Sequence, residues 1–145
     1  MKKINLFVYG SLREGFFNYD KYLAGKVVEK KDAILENMRL YHMPYKGYPA
    51  ITPGNDKVLG EIMVINEEEY DETVKDMDEM EGFISENNPE NEYHKIVLEV
   101  KNLQTNEKEK CFVYFYNKDK DKDKVFDSES VYIPNGDWKE YMLTK

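Results

Sequence analysis

Ile4-Asn5-Leu6-Phe7-Val8-Tyr9-Gly10-Ser11-Leu12 is the stretch around which the rest of the chain is organised. Its first six residues are mainly apolar, with β-branched and aromatic members, which predicts a buried strand over residues 4–9. Gly10-Ser11 ends that strand. Glycine lets the backbone turn and lets a ligand come close. Tyr19, Tyr22 and Leu23 fall at helical spacing, so a short helix is expected around residues 16–23, with Gly25 closing it. A strand, a Gly-Ser turn and a helix together make a device for anions, because successive N–H groups and a helix start carry partial positive charge. The same pattern also fits a plain turn. It is not a nucleotide loop, since neither GxGxxG nor GxxxxGK[ST] occurs. Ser11 lacks the GxSxG surroundings of a nucleophile elbow.

Further along, strands are expected near residues 33–42, 58–65, 93–100 and 110–116. Between the first two lies Pro44-Tyr45-Lys46-Gly47-Tyr48-Pro49-Ala50-Ile51-Thr52-Pro53-Gly54, whose prolines and glycines predict an irregular loop. Asn66 starts the clearest helix, with Glu69 three residues later as a returning capping partner. Gly82 is its natural stop. Lys118-Asp119-Lys120-Asp121-Lys122-Asp123-Lys124 alternates in sign and is expected as an exposed loop. Its interleaved lysines and missing glycine argue against a calcium loop. Asp137 with Glu140 can cap a last short helix through Tyr141.

The helical period singles out one acid from the carboxylate-rich segment 67–92. With Tyr70 at zero and about 100° per residue, Val74 lies near +40°, Met77 near −20° and Glu81 near +20°. Glu72, Asp76 and Glu79 point away from that stripe. A carboxylate facing the core is costly unless it is paired or neutral. Burial, neighbouring acids and the helix C-terminus would each raise its proton affinity, as a general acid or base near neutral pH requires. Periodicity alone leaves a second reading open, in which the helix ends early and Glu81 turns outward or pairs with a cation.

Composition bounds the rest. A chain of 145 residues suggests one domain over 1–145. Hydrophobic residues at 41% and aromatics at 14% are too many for a disordered chain. The net charge of −8 disfavours nucleic-acid or anionic-membrane binding. An anionic substrate therefore has to be held by a local device. Cys111, the single cysteine, sits in an apolar run and is expected as a buried strand thiol. No stretch is long enough to span a membrane, and the N-terminal apolar run is too short for a signal peptide, so a soluble, cytoplasmic protein is expected. No HExxH or clustered Cys/His pattern indicates a metal site.

Several blocks together resemble the γ-glutamylcyclotransferase-like family, including its γ-glutamylamine cyclotransferase branch. Leu6-Phe7-Val8-Tyr9-Gly10-Ser11-Leu12-Arg13 is similar to that family's opening strand and substrate loop, and Asn18 fits a small polar position after it. Gly47-Tyr48-Pro49-Ala50-Ile51, Gly60-Glu61-Ile62, Met77-Asp78-Glu79-Met80-Glu81-Gly82-Phe83, Val113-Tyr114 and Gly136-Asp137-Trp138 match later blocks in order. Met77 and Phe83 depart mildly from the common residues, Tyr19 stands where a histidine is frequent, and the Lys/Asp repeat looks like a local expansion. The resemblance implies an α+β fold, a small mixed β-barrel with surrounding helices. It implies that Glu81 is the catalytic acid/base, that Tyr9, Gly10, Ser11 and Leu12 hold the substrate's glutamyl part, and that Tyr114 lines the site. The partner it implies is a small γ-glutamyl amine or peptide, cyclised to 5-oxoproline with no cofactor and no metal. A non-catalytic binding module for a carboxylated metabolite, and a lyase removing a γ-glutamyl group in biosynthesis, remain as alternatives.

Overall fold

The apolar run at the start of the chain has no polar alternation, which fits a strand covered on both faces. In the computed structural model, which describes residues 4–120 and 125–144, it is β1 (Asn5–Val8). Leu6 and Val8 pack in one cluster with Val74 and Met77, while Phe7 and Tyr9 join another with Leu40, Val113 and Trp138. β1 lies between β3 (Tyr48–Ile65), antiparallel, and β5 (Lys108–Tyr116), parallel. β5 pairs with β4 (Tyr93–Asn102), β4 with β2 (Val27–Met43), and β2 with β3. The ring β3-β1-β5-β4-β2 therefore closes on itself as a five-stranded mixed barrel, and β6 (Val131–Ile133) adds to β2. Helices α1 (Tyr70–Glu81), α2 (Val125–Glu129) and α3 (Trp138–Thr144) surround it.

The longest pairing departs from the sequence expectation. β2 and β3 form one hairpin from Met43↔Tyr48 down to Val27↔Ile65, with register breaks at Val27/Glu29 and Glu36/Met38. Residues 48–53, expected as irregular loop, belong to β3. Pro49 and Pro53 are tolerated because, among the described residues, this outer part of β3 pairs with β2 alone, so their missing N–H groups fall on an edge. The early part of β2, Val28 to Lys30, is exposed, and Glu29, Lys30 and Lys31 are charged, which hid it in the sequence.

The helix expectation at Asn66 holds with a change at its start. The Asn66 side chain accepts from the Glu68 N–H at 2.9 Å, and a 3₁₀ turn over Glu67–Glu69 leads into α1. Tyr70, Thr73, Val74 and Met77 form its buried face. Gly82 ends it at φ 71°, a left-handed conformation that glycine adopts without a Cβ penalty. Phe83 N–H then reaches the Asp78 carbonyl at 2.8 Å and Gly82 N–H the Glu79 carbonyl at 3.2 Å, a Schellman closure. At the far end Asp137 accepts from the Glu140 N–H at 3.0 Å and starts α3, which runs past Tyr141 to Thr144. Cys111 is buried in β5, and burial, with Glu109 nearby, pushes its thiol up to about 12. It is no nucleophile at neutral pH. In the Lys/Asp repeat, Lys118–Lys120 form a 3₁₀ turn and residues 121–124 lie outside the described set. Among the described residues no helix is long and apolar enough to cross a membrane.

Candidate functional site

The barrel brings distant segments to one cleft with an empty volume of about 560 Å³, mouth included. The end of β1 and its turn supply Tyr9, Gly10, Ser11 and Leu12. The outer hairpin brings Tyr48 and Pro49, the end of α1 brings Met80 and Glu81, and the β4 and β5 strands bring Tyr93 and Tyr114. All six residues singled out in the sequence thus meet in one place. Tyr9 and Tyr114 are coupled directly, because the Tyr9 hydroxyl donates to the Tyr114 carbonyl at 2.6 Å.

The strand, the Gly-Ser turn and a short helical segment follow one another in the expected order. Arg13 N–H closes the turn onto the Gly10 carbonyl at 3.0 Å. The following helical segment covers residues 17–23, its last five residues a π-helical turn, Tyr19–Leu23, and Asn18 near its start lines the cleft. The turn's own N–H groups carry partial positive charge as well. Among the described residues none accepts from the N–H of Gly10, Ser11 or Leu12. Ser11 Oγ is taken by Asn18, whose side-chain amide donates to it at 2.7 Å. Gly10 also has a different task from ligand approach: a Cβ there would lie 2.7 Å from Pro49 Cγ. The glycine is what allows the Tyr48-Pro49 edge to close on the turn.

Opposite the turn, Glu81 ends α1 and is partly exposed, into the cleft that it lines. The cations nearby are spent elsewhere: Lys95 reaches Asp78 at 2.8 Å and Lys46 reaches Glu92 at 2.6 Å. Among the described residues none pairs with the Glu81 carboxyl. Burial, and then the charges of Glu92 and Asp78, push its pKa up to about 8 from the ordinary 4.5. The structure therefore removes the reading in which the helix ends early or Glu81 is paired. Glu72 and Glu79 are exposed on the other side, as the period predicts.

Four cleft-side residues carried no assigned role in the sequence. Glu92 lines the cleft with its backbone clamped, its N–H on the Gly82 carbonyl at 2.9 Å and its carbonyl accepting from the Asn117 N–H at 3.0 Å. Asp78 accepts from the Tyr114 hydroxyl at 2.6 Å. The Tyr93 hydroxyl donates to the Pro49 carbonyl at 2.6 Å, and Tyr48 stands beside it. Burial holds the Tyr9, Tyr93 and Tyr114 phenols well above their usual range, so they act as neutral donors. Tyr48 and Asp78 lie inside segments that stood out, but nothing in the polar run before Tyr93 marks Glu92. Among the described residues no group of His, Cys, Asp and Glu is arranged to hold a metal ion.

Comparison with known proteins adds independent information. The model of the family described as gamma-glutamyl cyclotransferase, AIG2-like, matches residues 6–140. A gamma-L-glutamyl-butirosin B gamma-glutamyl cyclotransferase from Niallia circulans is 29% identical over 139 residues, covering 96% of this chain and 78% of that protein. Among solved structures, an uncharacterized protein from Pyrococcus horikoshii matches with a TM-score of 0.61 at 23% identity, covering 98% of this chain and 95% of the other. An AIG2-like protein from Mus musculus matches with a TM-score of 0.57 at 22% identity, covering 77% and 76%. At those identities the structural matches speak for the shared fold.

Proposed function

We propose, from the premise that this chain belongs to the gamma-glutamyl cyclotransferase, AIG2-like family, that it cyclises the γ-glutamyl group of a small amine or peptide to 5-oxoproline. The observation that carries this is the pairing of an unpartnered Glu81 carboxyl with unpartnered N–H groups of Gly10, Ser11 and Leu12 across one cleft. The substrate's α-ammonium cannot attack until it loses a proton. Glu81, with a pKa of about 8, takes that proton as its carboxylate form. The freed amine attacks the γ-carbonyl carbon and the carbonyl oxygen becomes an oxyanion. Glu81 returns the proton to the leaving nitrogen as its C–N bond breaks. The surplus proton of the ring nitrogen follows onto the departed amine.

The turn's N–H groups hold the α-carboxylate or steady the oxyanion, which suits fixed backbone dipoles in an acidic protein. Holding the substrate curled for five-membered ring closure can lower the barrier by about 7–11 kcal/mol. No step calls for a cofactor.

The test is 5-oxoproline release from a panel of γ-glutamyl compounds by the wild type and Glu81→Gln. Turnover of at least one member is expected, falling about 10²–10⁴-fold in the variant. Tight binding of a panel member with no 5-oxoproline would instead mark a non-catalytic binding module. The name of the Niallia circulans relative favours a second form of the same chemistry, in which the leaving amine is a molecule such as butirosin B. The panel therefore includes γ-L-glutamyl-butirosin B beside γ-glutamyl amino acids and amines.

A further inference from the structure

A second enclosed carboxylate, Glu61, lies outside the cleft lining and takes no part in the chemistry above. It faces Val8 in the β1–β3 ladder, just before the turn, and its residue is only 2% exposed. One oxygen accepts from the Glu14 N–H at 3.1 Å. The other accepts from Arg13 Nε at 3.3 Å, with Lys30 Nζ at 3.9 Å. Arg13, 9% exposed, sends Nη1 to Asp137 Oδ1 at 3.1 Å. That same oxygen caps the start of α3. Lys139 of α3 adds a bond to the Glu14 carbonyl at 2.7 Å. The two residues that follow the turn are thus tied to β3 and to α3 by directional bonds.

We propose that Glu61, Arg13 and Asp137 are positioning residues that fix the aim of the Gly10–Leu12 N–H groups and so set how tightly the turn holds the substrate's carboxylate. This rests on the reading that the turn binds the substrate. The three N–H dipoles of the turn repel one another and have no acceptor among the described residues to orient them. Something behind the turn has to do so. Stability alone does not require ions there, because replacing a buried ion pair by apolar side chains of similar volume is often neutral or stabilising. Apolar packing cannot fix the rotation of a loop as hydrogen bonds to a carboxylate can. Arginine suits the position because its planar fork reaches two carboxylates on different elements at once, which a lysine ammonium cannot do.

The experiment measures KM, kcat and Tm with one γ-glutamyl substrate that the wild type turns over. The variants are Arg13→Met with Glu61→Leu, and Asp137→Asn. The double variant is expected to stay folded with its Tm within a few degrees, while KM rises about tenfold and kcat changes less than about threefold. Asp137→Asn keeps a cap on α3 but weakens the hold on Arg13, and KM is expected to rise about threefold. A merely structural network would move Tm and leave KM alone. If the double variant does not fold, Arg13→Lys decides: KM raised about fivefold at a preserved Tm supports the positioning role, and an unchanged KM overturns it. An active wild type whose KM survives in folded variants overturns the positioning role only. A wild type that releases no 5-oxoproline from any substrate overturns the proposed function, and this role with it.

Discussion

Glu61 sits among donors: the Arg13 guanidinium, the Glu14 N–H and the Lys30 ammonium. Glu81 sits among acids, with Glu92 and Asp78 nearby and their cations turned away from it. Both carboxylates belong to the same barrel and its helices, Glu61 buried and Glu81 partly open to the cleft, and the same −8 chain carries both. The difference teaches what partners do to a buried acid. A carboxylate given donors becomes a fixed strut. One denied them keeps its proton until near pH 8 and can trade it.

The sharpest way to break this contrast is to remove the Glu81 charge and follow stability. A folded pKa of about 8 against an ordinary 4.5 means that the unfolded chain ionises this group first. Stability is therefore unaffected below about pH 4.5, falls as pH rises towards 8, and stays reduced above it. Glu81→Gln is expected to recover roughly 2–4 kcal/mol at pH 9 and almost nothing at pH 4. In thermal melts this is about 5–10 °C at the higher pH. If Glu81 were paired as Glu61 is, the variant would be less stable at pH 9 instead.

A smaller effect sharpens the cause. The ascending limb of kcat/KM against pH is expected near 8, where Glu81 becomes a base. Glu92→Gln removes a repelling charge and releases Lys46, and both changes favour the ionised form of Glu81. The limb should move down by roughly one pH unit with the same substrate. A limb that does not move would show that Glu92 is not felt at Glu81.

The smallest change concerns the wall of the cleft. Tyr114→Phe deletes the hydroxyl that donates to Asp78 at 2.6 Å. About 1–2 kcal/mol of stability should go, measured by urea unfolding, with a few-fold fall in turnover. Unchanged values would reduce Tyr114 to lining.

The two carboxylates also differ in how far the sequence revealed them. Glu81 was legible because helical period is local: Tyr70, Val74 and Met77 mark the stripe on which it falls, and Gly82 marks the end. β1 and the cap at Asn66 were legible for the same reason. Glu61 stood in a matching block but without a role, since its partners come from residues 13, 14, 30 and 137. Glu92 was invisible, because only the meeting of its strand with Gly82 and Lys46 gives it meaning. The outer hairpin was hidden by prolines that an edge position tolerates. The three-residue β6 and the five-residue α2 were too short to leave a pattern. Local order was readable, and long-range register was not.

Ring closure of the barrel has a consequence for the order of events in folding. β1 is held by β5, and the Tyr9–Tyr114 bond joins residues 105 apart in sequence. The Arg13–Asp137 bond spans 124. Such distant pairings form slowly, because much chain entropy is lost before they are rewarded. During synthesis, the segment proposed to meet the substrate is made before Tyr114 and Asp137 and waits for both before it is held in place. The proposed site is then assembled only after residue 137 has been made, so chains cut short before it are expected to be inert as well as incompletely folded.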